Sequence, residues 1–472
     1  LMFQNNLLMA AASTASAAAY EIAYSCRFNP ADSPQLSRTA GTATSATTAT
    51  FSCWFKLSNQ PGASRGIFGT VGAYTGLKFD ANDLMRFFHG SSGSDVLTTK
   101  GSFRDFSAWF SCVLIIDTTE SVSTDRVKLF INGVQVEYTA NTFPTASEAF
   151  YLWNVSGQVN YVSQGSPTYP FWDGYMAEVH SIDGVAYPAT TFGEFDTNGV
   201  WRPIEVSDVT YGLNGFYLDF ADSSDLGNDV SGNDNDLTVA GLATNDQMID
   251  TPTKNYCTLN PLSPTGAVLS DGSLSVALTG TPTYDTIGGT ISFPSTGKWY
   301  FEVTCTTLVS VNSNLIGIAE GSTIKTDISG IDSGTKRRSY NSANGNLNSD
   351  LAGSVAYGDA YASGEVIGVA VDMDNGALYF RNEGVWQNSG DPTSGASKTG
   401  AAYTDLISSG WTWTPFIHND GTSENIFALN MGQFAYEDTA PTDFKDLNTA
   451  NLPAPTIKNS KKYFDTILYE GN

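Results

Sequence analysis

The residues able to do chemistry in this chain are few and far apart. Gly62-Ala-Ser64-Arg-Gly66 satisfies the spacing of a nucleophile elbow. It follows Pro61 and leads into an apolar run of strand type, whereas the strained turn that exposes a nucleophilic serine requires a helix. The three histidines, His89, His180 and His418, share no metal-ligand spacing. The tract 222–236 holds Asp222, Asp225, Asp229, Asn233, Asp234, Asn235 and Asp236, hard oxygen donors of the kind a structural Ca2+ needs. It lacks the twelve-residue loop spacing of a helix-flanked calcium site. The competing reading is a run of turns in which Asp and Asn side chains accept from their own backbone. Trp153, Tyr161, Tyr169, Phe171 and Trp172 lie in a loop-rich stretch with Asn and Asp neighbours, a composition suited to stacking on sugars.

The elements that must position these groups are strands. In 109–136, Val113 to Ile116 form an unbroken apolar run, a polar turn follows, and Val127, Leu129 and Ile131 alternate up to Asn132-Gly133. Asn-Gly tolerates positive φ at both residues, so Val134-Gln-Val136 is expected to fold straight back. The same grammar recurs at 366–386, with turns at Asn375-Gly376 and Glu383-Gly384. One meander used twice predicts two β-sandwiches. Alternation in 51–57 predicts a strand with one face buried and one wet. The low-complexity run 40–50 is expected to pair as an edge, and 192–203 reads as a surface turn.

With 472 residues the chain exceeds the size of a single usual core. Charged residues make up only 15%, while 45 Gly, 27 Phe, 22 Tyr and 9 Trp suit short strands and tight turns. A net charge of -25 argues against nucleic acid, which requires clustered Lys and Arg. The main basic cluster, Lys336-Arg337-Arg338, is expected in a solvated loop. Five scattered cysteines without a C-x-x-C pair suggest small buried hydrophobes and no disulfide framework. No run reaches the roughly 18 apolar residues that span a bilayer, so no membrane insertion is expected. Residues 1–19 carry no charge and lack the basic start of a signal peptide, and they read as an extended arm that docks on a partner.

Trp109, the 113–116 strand and Val127-Lys-Leu-Phe-Ile-Asn-Gly133 resemble the laminin-G and concanavalin A-like jelly rolls, as does the 215–237 tract. GKWYFEV at 297–303, GIA at 317–319, YG at 357–358 and IGVAVDMDNGALYF at 367–380 resemble a SPRY domain, itself a concanavalin-like sandwich. The fold class expected is all-β: two concanavalin A-like jelly-roll β-sandwiches in tandem with an extended N-terminal arm. The divisions expected are an arm at 1–19, a laminin-G/concanavalin A-like sandwich at 20–237, a connector at 238–289, a SPRY-like sandwich at 290–438 and a tail at 439–472.

Glycosidases with the concanavalin-like fold use Glu-x-Asp-x-x-Glu on one strand. Here Glu194-Phe-Asp196 lacks the last carboxylate, and a turn replaces the strand. The phrasing of the whole chain, from the arm through FWDGYMAEVH and FGEFDTNGVW to KYFDTILYEGN, is similar to virion structural or tail-fibre-like proteins of tailed bacteriophages. That resemblance implies a non-enzymatic virion protein, its arm on other virion proteins, assembled as a homo-oligomer with a trimer favoured, and contacting host surface glycan. It also implies a natural chain extending beyond Leu1 and Asn472. The alternatives are a head or tail decoration protein and a glycan-cleaving enzyme. No cofactor is expected apart from the structural Ca2+ that the Asp/Asn tract offers.

Overall fold

The computed structural model describes residues 20–456 apart from 59–63, 71–74, 90–93, 141, 151–154, 166–169, 263–266, 280–284, 310–313, 325–335, 351–353, 420 and 422. The described residues divide into two compact units, residues 20–255 with 453–456, and residues 256–452.

Unit 1 runs β1 (Ser25–Phe28), β2 (Gln35–Thr39), β3 (Thr48–Leu57), β4 (Arg65–Thr70), β5 (Gly76–Phe79), β6 (Leu84–His89), β7 (Ser94–Ser102), β8 (Trp109–Asp117) and β9 (Val127–Ile131). There follow β10 (Val134–Gln135), β11 (Tyr138–Ala140), β12 (Val159–Val162), β13 (Gly174–Asp183), β14 (Gly193–Phe195), β15 (Trp201–Pro203), β16 (Phe216–Leu218), β17 (Thr238–Ala240) and β18 (Gln247–Met248). One sheet has the order β10-β9-β8-β3-β13-β1-β18, with β16 also paired to β13. The other has the order β11-β7-β6-β5-β4-β12-β2-β17. Their facing side chains make one core. Phe51, Cys53, Phe55, Phe110, Leu114 and Met176 come from the first sheet, and Leu36, Phe68, Leu77, Phe79, Phe87 and Leu97 from the second.

The meander at 109–136 forms as its pattern predicts, with Asn132 at φ 49° and Gly133 at φ 72° in the turn. Glycine is required at 133 for a second reason: a Cβ there would sit 2.2 Å from the Trp201 ring. The wet face expected on β3 does not exist, because Ser52, Trp54 and Lys56 are all buried. The chain after β13 returns over the outer face of this sheet, packing Val185, Tyr187, Ala189, Phe192, Val206 and Tyr211 on Val113 and Ile182. The segment 192–203 is the hairpin β14–β15: its turn at 196–199 stands at the surface as expected, while Phe192 and Trp201 are buried at its base. The run 40–50 pairs only from Thr48 onward, as the start of β3. Its Thr/Ala alternation offers too little apolar surface to hold an edge strand.

Unit 2 runs β19 (Ala267–Ser270), β20 (Ser275–Leu278), β21 (Asp285–Gly288), β22 (Lys298–Thr307), β23 (Leu315–Glu320), β24 (Arg337–Asn341) and β25 (Asn346–Ser349). It continues with β26 (Val355–Ala356), β27 (Val366–Asp372), β28 (Ala377–Asn382), β29 (Val385–Trp386), β30 (Trp413–Asn419) and β31 (Asn425–Asn430). The sheets are β19-β20-β31-β22-β27-β28-β29 and β21-β30-β23-β24-β25-β26. The second meander, β27-β28-β29, repeats the first in form, with Gly376, Glu383 and Gly384 at positive φ in its turns.

The stretch 238–289 is divided and does not act as a separate connector. Strands β17 and β18 pair with β2 and β1, while β19, β20 and β21 belong to unit 2. Nor is 439–452 a tail. The Lys445 backbone exchanges hydrogen bonds with Lys298 and Tyr300, Leu447 is fully buried, and Phe444 packs on the outer face of β22 and β27.

Candidate functional site

A grouping of titratable side chains that joins an acid, an imidazole and phenols stands on the outer face of β13. Register slips between Ala177 and His180, and this β-bulge holds Glu178 at φ 50°. The Tyr20 and Tyr217 hydroxyls both donate to Glu178 Oε2, at 3.2 and 2.8 Å. His180 Nε2 lies 3.8 Å from the same oxygen, its Nδ1 is 2.9 Å from the Tyr211 hydroxyl, and its ring stacks on Tyr217 at 4.2 Å. Burial first, and the Glu178 charge second, push the Tyr20 phenol up to about 12 and hold the Tyr211 and Tyr217 phenols far above their ordinary value. The phenols therefore remain donors. The adjoining crevice between Trp54, Glu178, His180, Phe192 and Ile204 is too narrow to take a water molecule. An acid and a base stand together here without access for a substrate.

Asp196 accepts from the Asn198 and Val200 amides at 2.8 and 2.9 Å and from Arg202 Nε at 2.8 Å. These bonds hold its carboxyl below the ordinary range, and they close the β14–β15 turn. The last glycine of the 62–66 motif has a packing reason: the Gly165 backbone crosses Gly66 and Gly69 so closely that a Cβ would meet it at 1.6 and 1.8 Å. The chain then enters strand β4, and no helix follows Ser64.

Of the five aromatic candidates, Trp153 and Tyr169 lie outside the described residues. Tyr161 stands half-buried on β12 between Ser37 of β2 and Gly69 of β4, and Phe171 is half-buried opposite Gln164. Trp172 is a core residue and not a surface platform. Its ring is fully buried, 5.7 Å from both Phe55 and Phe79. The alternation that turns Phe171 outward turns Trp172 inward.

In the Asp/Asn tract the donors of the turn consume the oxygens. Asp229 Oδ1 accepts from the Tyr217 and Ser231 amides, and Oδ2 accepts from the Asn235 amide and the Ser231 hydroxyl, at 2.8 to 2.9 Å. Asp222 caps Ser224, Asp225 caps Gly227, and Asp236 accepts from the Asp229 amide. Asn233 and Asn235 direct their amide nitrogens to the carbonyls of Gly212, Leu213 and Gly215. This arrangement is a set of interlocked turns in which these carboxylate oxygens already accept from backbone and hydroxyl donors. Among the described residues no three His, Cys, Asp or Glu side chains converge as metal ligands.

Unit 2 holds a feature that charge patterning alone misread. Arg337 and Arg338 are strand residues, and Arg338 is 1% exposed. Its guanidinium donates to Asp350 at 2.5 Å and to both oxygens of Asp405, and it lies 5.2 to 5.6 Å from the Tyr403, Trp411 and Trp413 ring centres. These two carboxylates hold it above its ordinary pKa despite burial. The available signal was the pair Trp411 and Trp413, whose ring faces take a desolvated guanidinium. Lys336 keeps to the half-exposed rim, 4.7 Å over Trp411.

Residues 30–189 match the profile of the concanavalin A-like lectin/glucanases superfamily, in its laminin-G-type group, and residues 298–403 match that of the SPRY domain. Among solved structures, the chain is similar to the SPRY domain of human HERC1 at 12% identity, covering 38% of this chain and 99% of that one with a TM-score of 0.29. It is likewise similar to a human SPRY domain at 12% identity, covering 36% and 98%, TM-score 0.26. A Trypanosoma rangeli sialidase aligns at 15% identity over 29% of this chain and 20% of that one, TM-score 0.21. No curated protein sequence matches the chain. With both sandwiches and both profile matches in hand, the chain carries a concanavalin A-like domain of laminin-G type followed by a SPRY domain.

Proposed function

We propose that this chain is a non-enzymatic structural protein of a tailed-bacteriophage virion, a tail-fibre-like adhesin that assembles in the particle and contacts host surface glycans. The observation that carries the non-enzymatic part is the state of its carboxylates. Glycoside hydrolysis needs two acids about 5 to 9 Å apart across a cleft that admits a sugar. Glu178 stands beside a crevice far too narrow for a sugar, and Asp196 and Asp229 are saturated by donors from their own turns. The glycan-contact part rests on analogy with the lectin-type fold and on the half-exposed rings of Tyr161 and Phe171. The virion part rests on the phrasing of the sequence.

The test is direct. Purified chain is incubated with surface polysaccharide from candidate host cells, and both retention and reducing ends are measured. Retention without new reducing ends is the expected result. Reducing ends that rise with chain concentration overturn the non-enzymatic reading, and failure to retain any polysaccharide or whole cells overturns the adhesin in favour of a decoration role.

A further inference from the structure

We propose that the outer edge of β17 is a strand-acceptor site, and that its occupant is the uncharged segment 1–19 of a second copy of this chain. Strand β17 ends its sheet, paired on one side to β2. The Leu237 amide already turns the other way, donating to Gly227 O at 2.9 Å. Backbone polar groups alternate along a strand, so Val239, two residues on, presents its N–H and C=O to that same outer side. An open groove of about 600 Å3 runs beside this edge. Leu226, Leu237, Val239 and Leu242 form an apolar floor, with Ser223 and Thr238 among the hydroxyls at the rim. A free edge beside an apolar floor is the arrangement that takes an added strand, with main-chain hydrogen bonds giving affinity and alternate side chains entering the floor.

Charge selects the occupant. Each copy carries -25, so two copies repel over most of their surfaces. Contact costs least where neither side is charged. Among the described residues Asp225 is the one charged residue lining the groove, and residues 1–19 contain none. Fully extended, nineteen residues reach up to about 60 Å, enough to cross to a neighbouring copy. The inference rests on the assembling role proposed above and adds the surface through which copies join.

Sedimentation of the full chain across concentrations tests it, with salt raised from low to high ionic strength. Self-association is expected to strengthen with salt as repulsion is screened. Deletion of residues 1–19 and, separately, Val239→Pro are each expected to weaken it at least tenfold. Proline is tolerated on an edge and removes the outward N–H while leaving the bonds to β2. Thr238→Asp, which leaves the backbone donor in place, is expected to weaken it in the same direction. Association unchanged in the deletion and in Val239→Pro overturns the inference and leaves the assembling role standing through another face. A Val239 amide protected from hydrogen exchange at dilutions where the chain is monomeric also overturns it, by placing the segment on its own copy. A chain monomeric at every concentration overturns the inference and the assembling role together.

Discussion

Replacing Lys56 by methionine removes one half of an ion pair sealed inside unit 1. Lys56 and Asp250 are fully buried, with Nζ 2.8 Å from Asp250 Oδ2 and 2.7 Å from Asn255 Oδ1. Trp109 Nε1 reaches the other Asp250 oxygen at 3.0 Å. Methionine matches the lysine stem in volume, so packing is conserved and the effect isolates the charge. Leaving a buried carboxylate without its cation costs about 3–5 kcal/mol. For a unit of this size that is a fall of roughly 10 °C in its melting temperature. Scanning calorimetry of the full chain, compared with the parent, reads this as a lower melting temperature for the transition that carries unit 1. The double variant Lys56→Met with Asp250→Leu should recover more than half of the loss, because the stranded charge is then gone. A single variant that melts within 1 °C of the parent would refute the reasoning and place Lys56 on a wet face.

His418 gives unit 2 an acid sensitivity of defined sign. Burial first, and the charge of Arg337 second, lower its pKa to about 3, so the unfolded chain binds this proton more readily. The stability it contributes is complete above its unfolded value near 6.5 and falls by about 1.4 kcal/mol per pH unit as pH drops from there toward 3. His418→Gln should flatten the melting-temperature slope between pH 6.5 and 4, and an unchanged slope would exclude this origin. Trp172→Ala should destabilise unit 1 by about 3–5 kcal/mol through the cavity left among Phe55 and Phe79. Tyr161→Ala and Phe171→Ala should cost under about 1 kcal/mol in the same calorimetry and instead weaken polysaccharide retention. Addition of Ca2+ or of a chelator should move neither transition by more than about 1 °C, whereas Asp229→Ala, which orphans three backbone amides and a hydroxyl, should cost about 2–3 kcal/mol. A calcium-dependent rise in melting temperature would mean that the tract opens to a cation.

The strands were legible wherever period-two patterning met turn chemistry. Asn132-Gly133 and Glu383-Gly384 announce their hairpins because positive φ at two successive positions is a local demand that few residues meet. Burial of the outer face was not legible. A strand such as 51–57, with Ser52, Trp54 and Lys56 on one side, reads as half-wet until a segment more than a hundred residues later is known to cover it. Lys56 is tolerated there because Asp250 arrives from 194 residues further along the chain. Arg338 was misread for the same reason, since its partners Asp350 and Asp405 and the Trp411 and Trp413 rings lie 12 to 75 residues away in sequence. The division of 238–289 was hidden by prolines and turns that mask short edge strands. The Glu178, His180, Tyr20 and Tyr217 cluster escaped because its members come together only through β13 pairing with β16 and the packing of residue 20.

Antibody labelling of intact particles, viewed by electron microscopy, tests the central claim most directly. The account expects label on the virion, concentrated at the distal fibres of the tail, and blocked host adsorption in the presence of the antibody. Particles without label, or label confined to the head with adsorption unaffected, would contradict it.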